Sequence, residues 1–150
     1  MALSIIDTIR IYIDYDENNP EQFISCMRSV LSNTSHIVSV VPLSPKLISD
    51  YVTKPLDDQI NYSMFLIPKL NSYRGFAIYL NNNVRLNCDI NDYWSQASFK
   101  YDIQFIDGDI KNPKISVWNC DRFPHRKLDS YTLQTADSNF LLSAEWLTIS

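Results

Sequence analysis

Apolar and polar positions alternate at the start of the chain: Ile9, Ile11, Ile13 and Tyr15 interleave with Thr8, Arg10, Tyr12 and Asp14. Period two with β-branched and aromatic residues predicts a half-buried strand. The polar run Asp16-Glu17-Asn18-Asn19 ends it, and Pro20 then opens a helix over Pro20–Asn33. Asn19 is placed as its N-cap, Pro20 suits the first helical position, and Gln22 is placed to reach back as a capping-box partner. Phe23, Met27, Val30 and Leu31 follow at helical spacing, one apolar stripe to lay on a sheet.

The pattern then predicts a short buried strand at His36–Val41 and a second helix from Ser44-Pro45 to Pro55. Strands follow at Ile60–Ile67, Phe76–Leu80 and Val84–Ile90, the last two joined by an Asn81-Asn82-Asn83 hairpin turn. A helical connection is expected within Asp89–Ala97. A strand over Phe99–Phe105, a loop from Asp107 to Pro113 and a strand over Lys114–Trp118 complete the centre. On that last strand, alternation places Ile115 and Val117 on one face and Ser116 and Trp118 on the other, so both faces are expected to be covered. Leu128–Thr135 reads as extended, and Ser138–Thr148 as either helix or strand. The expected architecture is α+β: a mainly antiparallel twisted sheet with one or two helices packed on a face, residues 1–150 forming a single domain.

Composition narrows the function classes. The chain has 150 residues, is 45% hydrophobic and 20% charged, and carries a net charge of −4 spread over both halves. These are globular values, and the acidic balance makes nucleic acid a poor partner. The two glycines, Gly75 and Gly108, are too few for a Gly-rich phosphate loop. Cys26, Cys88 and Cys120 are widely spaced, so no zinc knuckle or redox pair is expected, and they read as buried free thiols of a cytoplasmic protein. The N-terminus lacks a signal-peptide pattern, and no run reaches membrane-spanning length.

Three constellations carry candidate chemistry. Asp14-Tyr15-Asp16-Glu17-Asn18-Asn19 begins like a calcium loop, but lacks the glycine at its sixth position and has Ser25 at its twelfth. It reads instead as a solvated turn whose acids complement a helix N-terminus. Of the two histidines, His36 reads as structural. His125 lies in the basic, aromatic run Arg122-Phe123-Pro124-His125-Arg126-Lys127, an exposed loop by default. The alternatives for that run are contact with phosphate, or a catalytic base at His125 beside Asp121 or Asp129. The third is acidic: Asp102, Asp107, Asp109 and Asp121 around the Asp107-Gly108-Asp109 turn, which ordinary turn chemistry explains and which also offers a protein-binding face.

Asp107-Gly108-Asp109, followed by Lys114-Ile115-Ser116-Val117-Trp118 and Asp121, resembles a segment of some immunity proteins of contact-dependent growth inhibition systems, where a G-D-G-type turn leads into an I-S-x-W strand. Phe76–Ile90 is similar to the hairpin of that group. Ile110 stands in place of the second glycine and Asn112-Pro113 lengthen the loop. The resemblance covers Gly75 to Asp121. It implies a cytoplasmic, non-catalytic inhibitor, monomeric or weakly dimeric, that occludes the active site of a cognate toxin C-terminal domain, a nuclease in the first instance. On that reading Asp102, Asp107, Asp109 and Asp121 make the acidic contact, with no cofactor, metal, nucleic acid or membrane involved. The rival readings are a phage or viral inhibitor of a host nucleic-acid system, a small hydrolase using His125, and an RNA-binding module using Arg122–Lys127.

Overall fold

Strand β1 (Ile9–Asp14) is an inner strand of the sheet, with parallel neighbours on both sides. The computed structural model describes residues 8–44, 62–122, 124–125 and 147–149. After β1 come helix α1 (Pro20–Asn33), strand β2 (Val38–Leu43), a 3-10 turn (Tyr62–Leu66) running into the short helix α2 (Ile67–Leu70), and strand β3 (Phe76–Leu80). Helix α3 (Asn91–Trp94) and strands β4 (Ile103–Gly108) and β5 (Pro113–Asn119) follow. The five strands lie in the order β2-β1-β3-β5-β4. β1 pairs in parallel with β2 and β3, whereas β5 pairs antiparallel with β3 and β4. The sheet is therefore mixed, and the expectation of a mainly antiparallel one is corrected on its first three strands.

The connections explain that mixture. A helix between two strands returns the chain to its starting end, so strand-helix-strand yields a parallel pair. β1 leads through α1 to β2 on one side, and β2 leads back across β1 to β3 on the other. Right-handed crossovers in opposite directions must use opposite faces of the sheet. Accordingly, Cys26 and Val30 of α1 pack with Ile9, Ile11, Ile13, Ile78, Leu80, Ile115 and Val117 on one face. Met64, Phe65, Leu66 and Ile67 cover the other, against Tyr12, Ala77, Tyr79, Ile103 and Trp118. Ile115 and Val117 do face away from Trp118, and both sides are covered.

Several local expectations change for identifiable reasons. Tyr12 is buried, not on a solvated face, because its hydroxyl donates to Asn71 Oδ1 at 2.9 Å. The run before Pro68 is not a strand: residues 63–67 are buried, and Pro68 sits in the first turn of α2, where a missing N–H costs nothing. Residues 84–90 are not the second strand of a hairpin. Leu86 N donates to Ser29 Oγ (3.0 Å) and its carbonyl accepts from Asn33 Nδ2 (3.0 Å), so side chains of α1 satisfy its backbone in place of a ladder. Asn19 makes no side-chain cap; Asp16 Oδ1 accepts from Asn18 N at 2.9 Å, and Gln22 Oε1 accepts from Arg85 at 2.7 Å.

β4 begins only at Ile103, because Ser98 to Tyr101 form a turn. An extra residue between Phe105 and Asp107 then bulges the strand and turns Ile106 onto the face of α1. The second helix expected up to Pro55 lies outside the described residues from 45 onward, as do Leu128–Thr135 and all of Ser138–Thr148 but its last two residues. Ile149 makes one parallel bridge to Ile103.

Candidate functional site

In an open sheet with parallel strands, ligands bind outside the carboxyl ends, where the chain leaves a central strand to opposite sides. Here that switch point lies between β1 and β3. Ile13 is level with Leu80 on one side and with Pro42 on the other, so Asp14 meets Leu43 and the start of Asn81-Asn82-Asn83 at one rim. Because β5 runs opposite to β3, its first residues reach the same rim: Asn81 N donates to Lys114 O at 2.8 Å. The rim thus gathers Asp14, Asp16, Asn81, Asn83 and Lys114 from three distant parts of the chain.

Among the described residues, two hydroxyls hold Asp14. Tyr79 donates to its Oδ2, and Ser63 donates to Oδ1 at 3.3 Å, which fixes the carboxylate over the end of β1. Asn81 Oδ1 accepts from Asn83 N at 3.1 Å, and Lys114 Nζ donates to Asn83 Oδ1 at 3.4 Å. Arg85 closes the side nearest α1, bridging Asn82 O and Gln22 Oε1, both at 2.7 Å. Next to these residues lies a cavity of about 510 Å³ lined by Asn83, Arg85, Tyr93, Asp107 and Lys114 among others. Carboxylates and amides of this kind can hold the hydroxyls of a polar substrate, and the ammonium and guanidinium can face a developing anion. Among the described residues, no group of three or more His, Cys, Asp or Glu side chains is placed to hold a metal ion.

The four acids expected to share one contact face fall into two pairs at opposite ends of the β4–β5 pair. Asp107 and Asp109 stand at the rim, exposed. Asp109 Oδ1 accepts from Lys111 N and Asn112 N at 3.0 and 2.8 Å, so it shapes the turn into β5. Asp102 is fully buried: Oδ1 accepts from Arg122 Nε and Oδ2 from Thr148 N, each at 2.6 Å. Exposed Asp121 accepts from Gly75 N at 2.9 Å.

His125 is not in an exposed loop. It is buried, its Nε2 is 3.1 Å from Asp102 O, and its ring lies 5.5 Å from that of Trp118. Burial holds its pKa below the ordinary histidine value. Among the described residues no carboxylate bonds to it, and Asp129, the second acid expected beside it, lies outside them. The guanidinium of Arg122 is committed to Asp102, and residues 126–127 of the basic run lie outside the described residues.

No protein-family model matches the sequence, and no curated protein matches it. Solved structures do. The chain is similar to the glycosyltransferase GlyE of Streptococcus pneumoniae TIGR4, with a TM-score of 0.62 and 14% identity over 96% of this chain and 45% of GlyE. It is also similar to WbbM, a bifunctional glycosyltransferase, with a TM-score of 0.68 and 8% identity over 95% of this chain and 38% of WbbM. The galactosyltransferase LgtC, solved with donor and acceptor sugar analogs, gives a TM-score of 0.57 and 12% identity over 94% of this chain and 72% of LgtC. The chain therefore spans less than half the length of GlyE and of WbbM. At this identity the likeness defines the fold.

That fold overturns the expectation of a non-catalytic immunity protein and of a toxin domain as partner, since the structures that share it are sugar-transferring enzymes. The inhibitor, hydrolase and RNA-binding alternatives fall with it. The resembling segment has a structural explanation: Asp107-Gly108-Asp109 is the bulged turn between β4 and β5, and Phe76–Leu80 is an inner strand, not half of a hairpin. No helix among the described residues is long and apolar enough to cross a membrane.

Proposed function

We propose that the chain is a sugar-transferring domain that binds an activated sugar donor at the rim between β1 and β3. The observation that carries this is the coverage of the fold: 94–96% of the chain superimposes on glycosyltransferases, including one solved with donor and acceptor sugar analogs. The rim is also where a sheet of this topology receives ligands. In this reading Asp14 and Asn81 hold sugar hydroxyls, while Lys114 and Arg85 face the phosphate of the departing group, where positive charge stabilises the negative charge that develops. Asp107 and Asp109 stand at the same rim and are candidates for contact with the acceptor. The reading treats residues 1–150 as one domain acting in the cytoplasm.

The test is a panel of nucleoside-diphosphate sugars, each offered with mixed saccharide acceptors, with release of nucleoside diphosphate as the readout. Turnover with at least one donor, reduced by about a hundredfold or more in Lys114→Gln while the circular dichroism spectrum is unchanged, is the expected result. Absence of both turnover and saturable donor binding across the panel overturns the reading.

A further inference from the structure

The opposite end of the sheet carries a second cleft that sugar transfer at the rim does not use. Its volume is about 480 Å³, within the usual range for a small-molecule site, and it is lined by Thr8, Arg10, Asn71, Arg74, Phe76 and Trp94, with Gly75 between them. β1 separates the two places by about 20 Å, its six residues rising ~3.3 Å each. In a chain of net charge −4, the charged lining of this cleft is two guanidiniums and no carboxylate. Neither arginine forms an ion pair among the described residues, and Asp121, the acid beside the cleft, spends one oxygen on Gly75 N.

The other wall is aromatic. Phe76 meets Trp94 edge-on at 6.3 Å and Phe99 at 5.1 Å, and Phe99 is 75% exposed. Phe76 and Trp94 are half-buried and Phe99 is exposed, and half-buried rings at the wall of a cleft offer a stacking surface. The floor is rigid: Asn71 is buried, accepts from Tyr12 and donates to Arg74 O at 2.6 Å, which fixes the backbone that carries Arg74. The same loop holds Ser72 at φ 56° and Tyr73 at φ 57°, left-handed conformations that side-chain-bearing residues adopt at a cost and that cluster at ligand clamps. Over Gly75 there is open space, with nothing within 4 Å of where a Cβ would stand.

We infer that this cleft binds a phosphate-bearing ring compound of mononucleotide size, its anion gripped by Arg10 and Arg74 and its flat ring laid against Phe76 and Trp94. Guanidiniums pair with phosphate through forked, charge-assisted hydrogen bonds, and aromatic faces stack on a base without needing to read its edge. The site therefore prefers ring plus phosphate over either alone, and tolerates different bases.

The experiment is isothermal titration of the full chain with UMP, AMP, uridine, inorganic phosphate and a hexaglutamate peptide. UMP and AMP are expected to bind saturably and comparably, each about tenfold or more tighter than uridine or phosphate, and to weaken as salt is raised. Arg74→Gln, at an exposed position, is expected to weaken both by about tenfold or more. Trp94→Leu is expected to weaken them while leaving phosphate binding unchanged. Absence of saturable mononucleotide binding overturns the inference, as does hexaglutamate binding as tightly as UMP and displacing it. Binding lost in Lys114→Gln but kept in Arg74→Gln places the nucleotide at the opposite rim, which overturns this inference and leaves the sugar-transfer reading standing.

Discussion

Removal of the Trp118 ring tests whether β5 is the strand that ties the two faces of the sheet together. Trp118 is fully buried, meets Phe65 edge-on at 5.9 Å, stacks near His125, and donates Nε1–H to Ser116 Oγ at 2.9 Å. A buried Trp removes roughly 150–250 Å² from water, which at ~25 cal/mol per Å² amounts to roughly 4–6 kcal/mol. The methyl kept in Trp118→Ala and partial collapse around it lower the loss; the lost ring pair and the cavity raise it. A destabilisation of roughly 3–5 kcal/mol is expected. The assay is urea unfolding followed by far-ultraviolet circular dichroism, where a slope of about 2 kcal/mol per molar turns that loss into a midpoint lower by roughly 2 M. Trp118→Phe, which refills most of the space against Phe65, is expected to recover more than half of it. A midpoint for Trp118→Ala within about 0.5 M of wild type would mean that the ring does not support the core as its position requires.

Gly108→Ala is expected to cost roughly 3 kcal/mol in the same assay, because φ is +82° and the new Cβ would lie 2.3 Å from Asn112 O and 2.8 Å from Lys114 N. Gly75→Ala, with φ +67° and open space around it, isolates the backbone cost alone, about 1–2 kcal/mol; equal losses at the two sites would refute the clash. Burial keeps His125 neutral in the fold, so the unfolded chain takes up the proton first. Its contribution to stability is complete above the unfolded value of about 6.5 and is lost as pH falls below it towards the folded value. Urea midpoints measured from pH 7.5 to 5 are expected to fall more in wild type than in His125→Gln, and parallel curves would refute this. Burial pushes the Cys26 thiol up to about 11 and that of Cys120 up to about 12, so a thiol-directed disulfide reagent at pH 8 is expected to label Cys88 alone in the native protein. Labelling of Cys120 as fast as Cys88 would contradict its burial.

What the chain discloses in advance depends on whether a pattern has one structural meaning. The stripe Phe23-Met27-Val30-Leu31 behind a proline has one, and α1 occupies Pro20–Asn33 as expected. Phe76–Leu80 likewise spans the residues expected, with the Asn run after it. The alternation Val84-Leu86-Cys88-Ile90 has two meanings, since a backbone satisfied by side chains of a neighbouring helix can expose the same residues to the core. The continuous run Met64-Phe65-Leu66-Ile67 reads alike as buried strand or buried turn. Pairing direction is not written in alternation at all. It was legible only in the succession β1-α1-β2, whose helix returns the chain for a parallel partner.

The candidate site was less legible still, for a geometric cause. Asp14, Ser63, Asn81 and Lys114 are far apart in sequence, and each looks local when read alone: the end of a strand, a chain hydroxyl, a turn amide, a strand-start lysine. What assembles them is the register of β1 with β3 and of β3 with β5, which sets Ile13 beside Leu80 and Leu80 beside Ile115. The segment that carried the family resemblance was of the opposite kind, a compact turn and strand that any sheet can use and whose residues are explained by their own hydrogen bonds. A short motif that is self-sufficient as structure reports on structure, and a site built from strand ends becomes visible only once the order and direction of the strands are known.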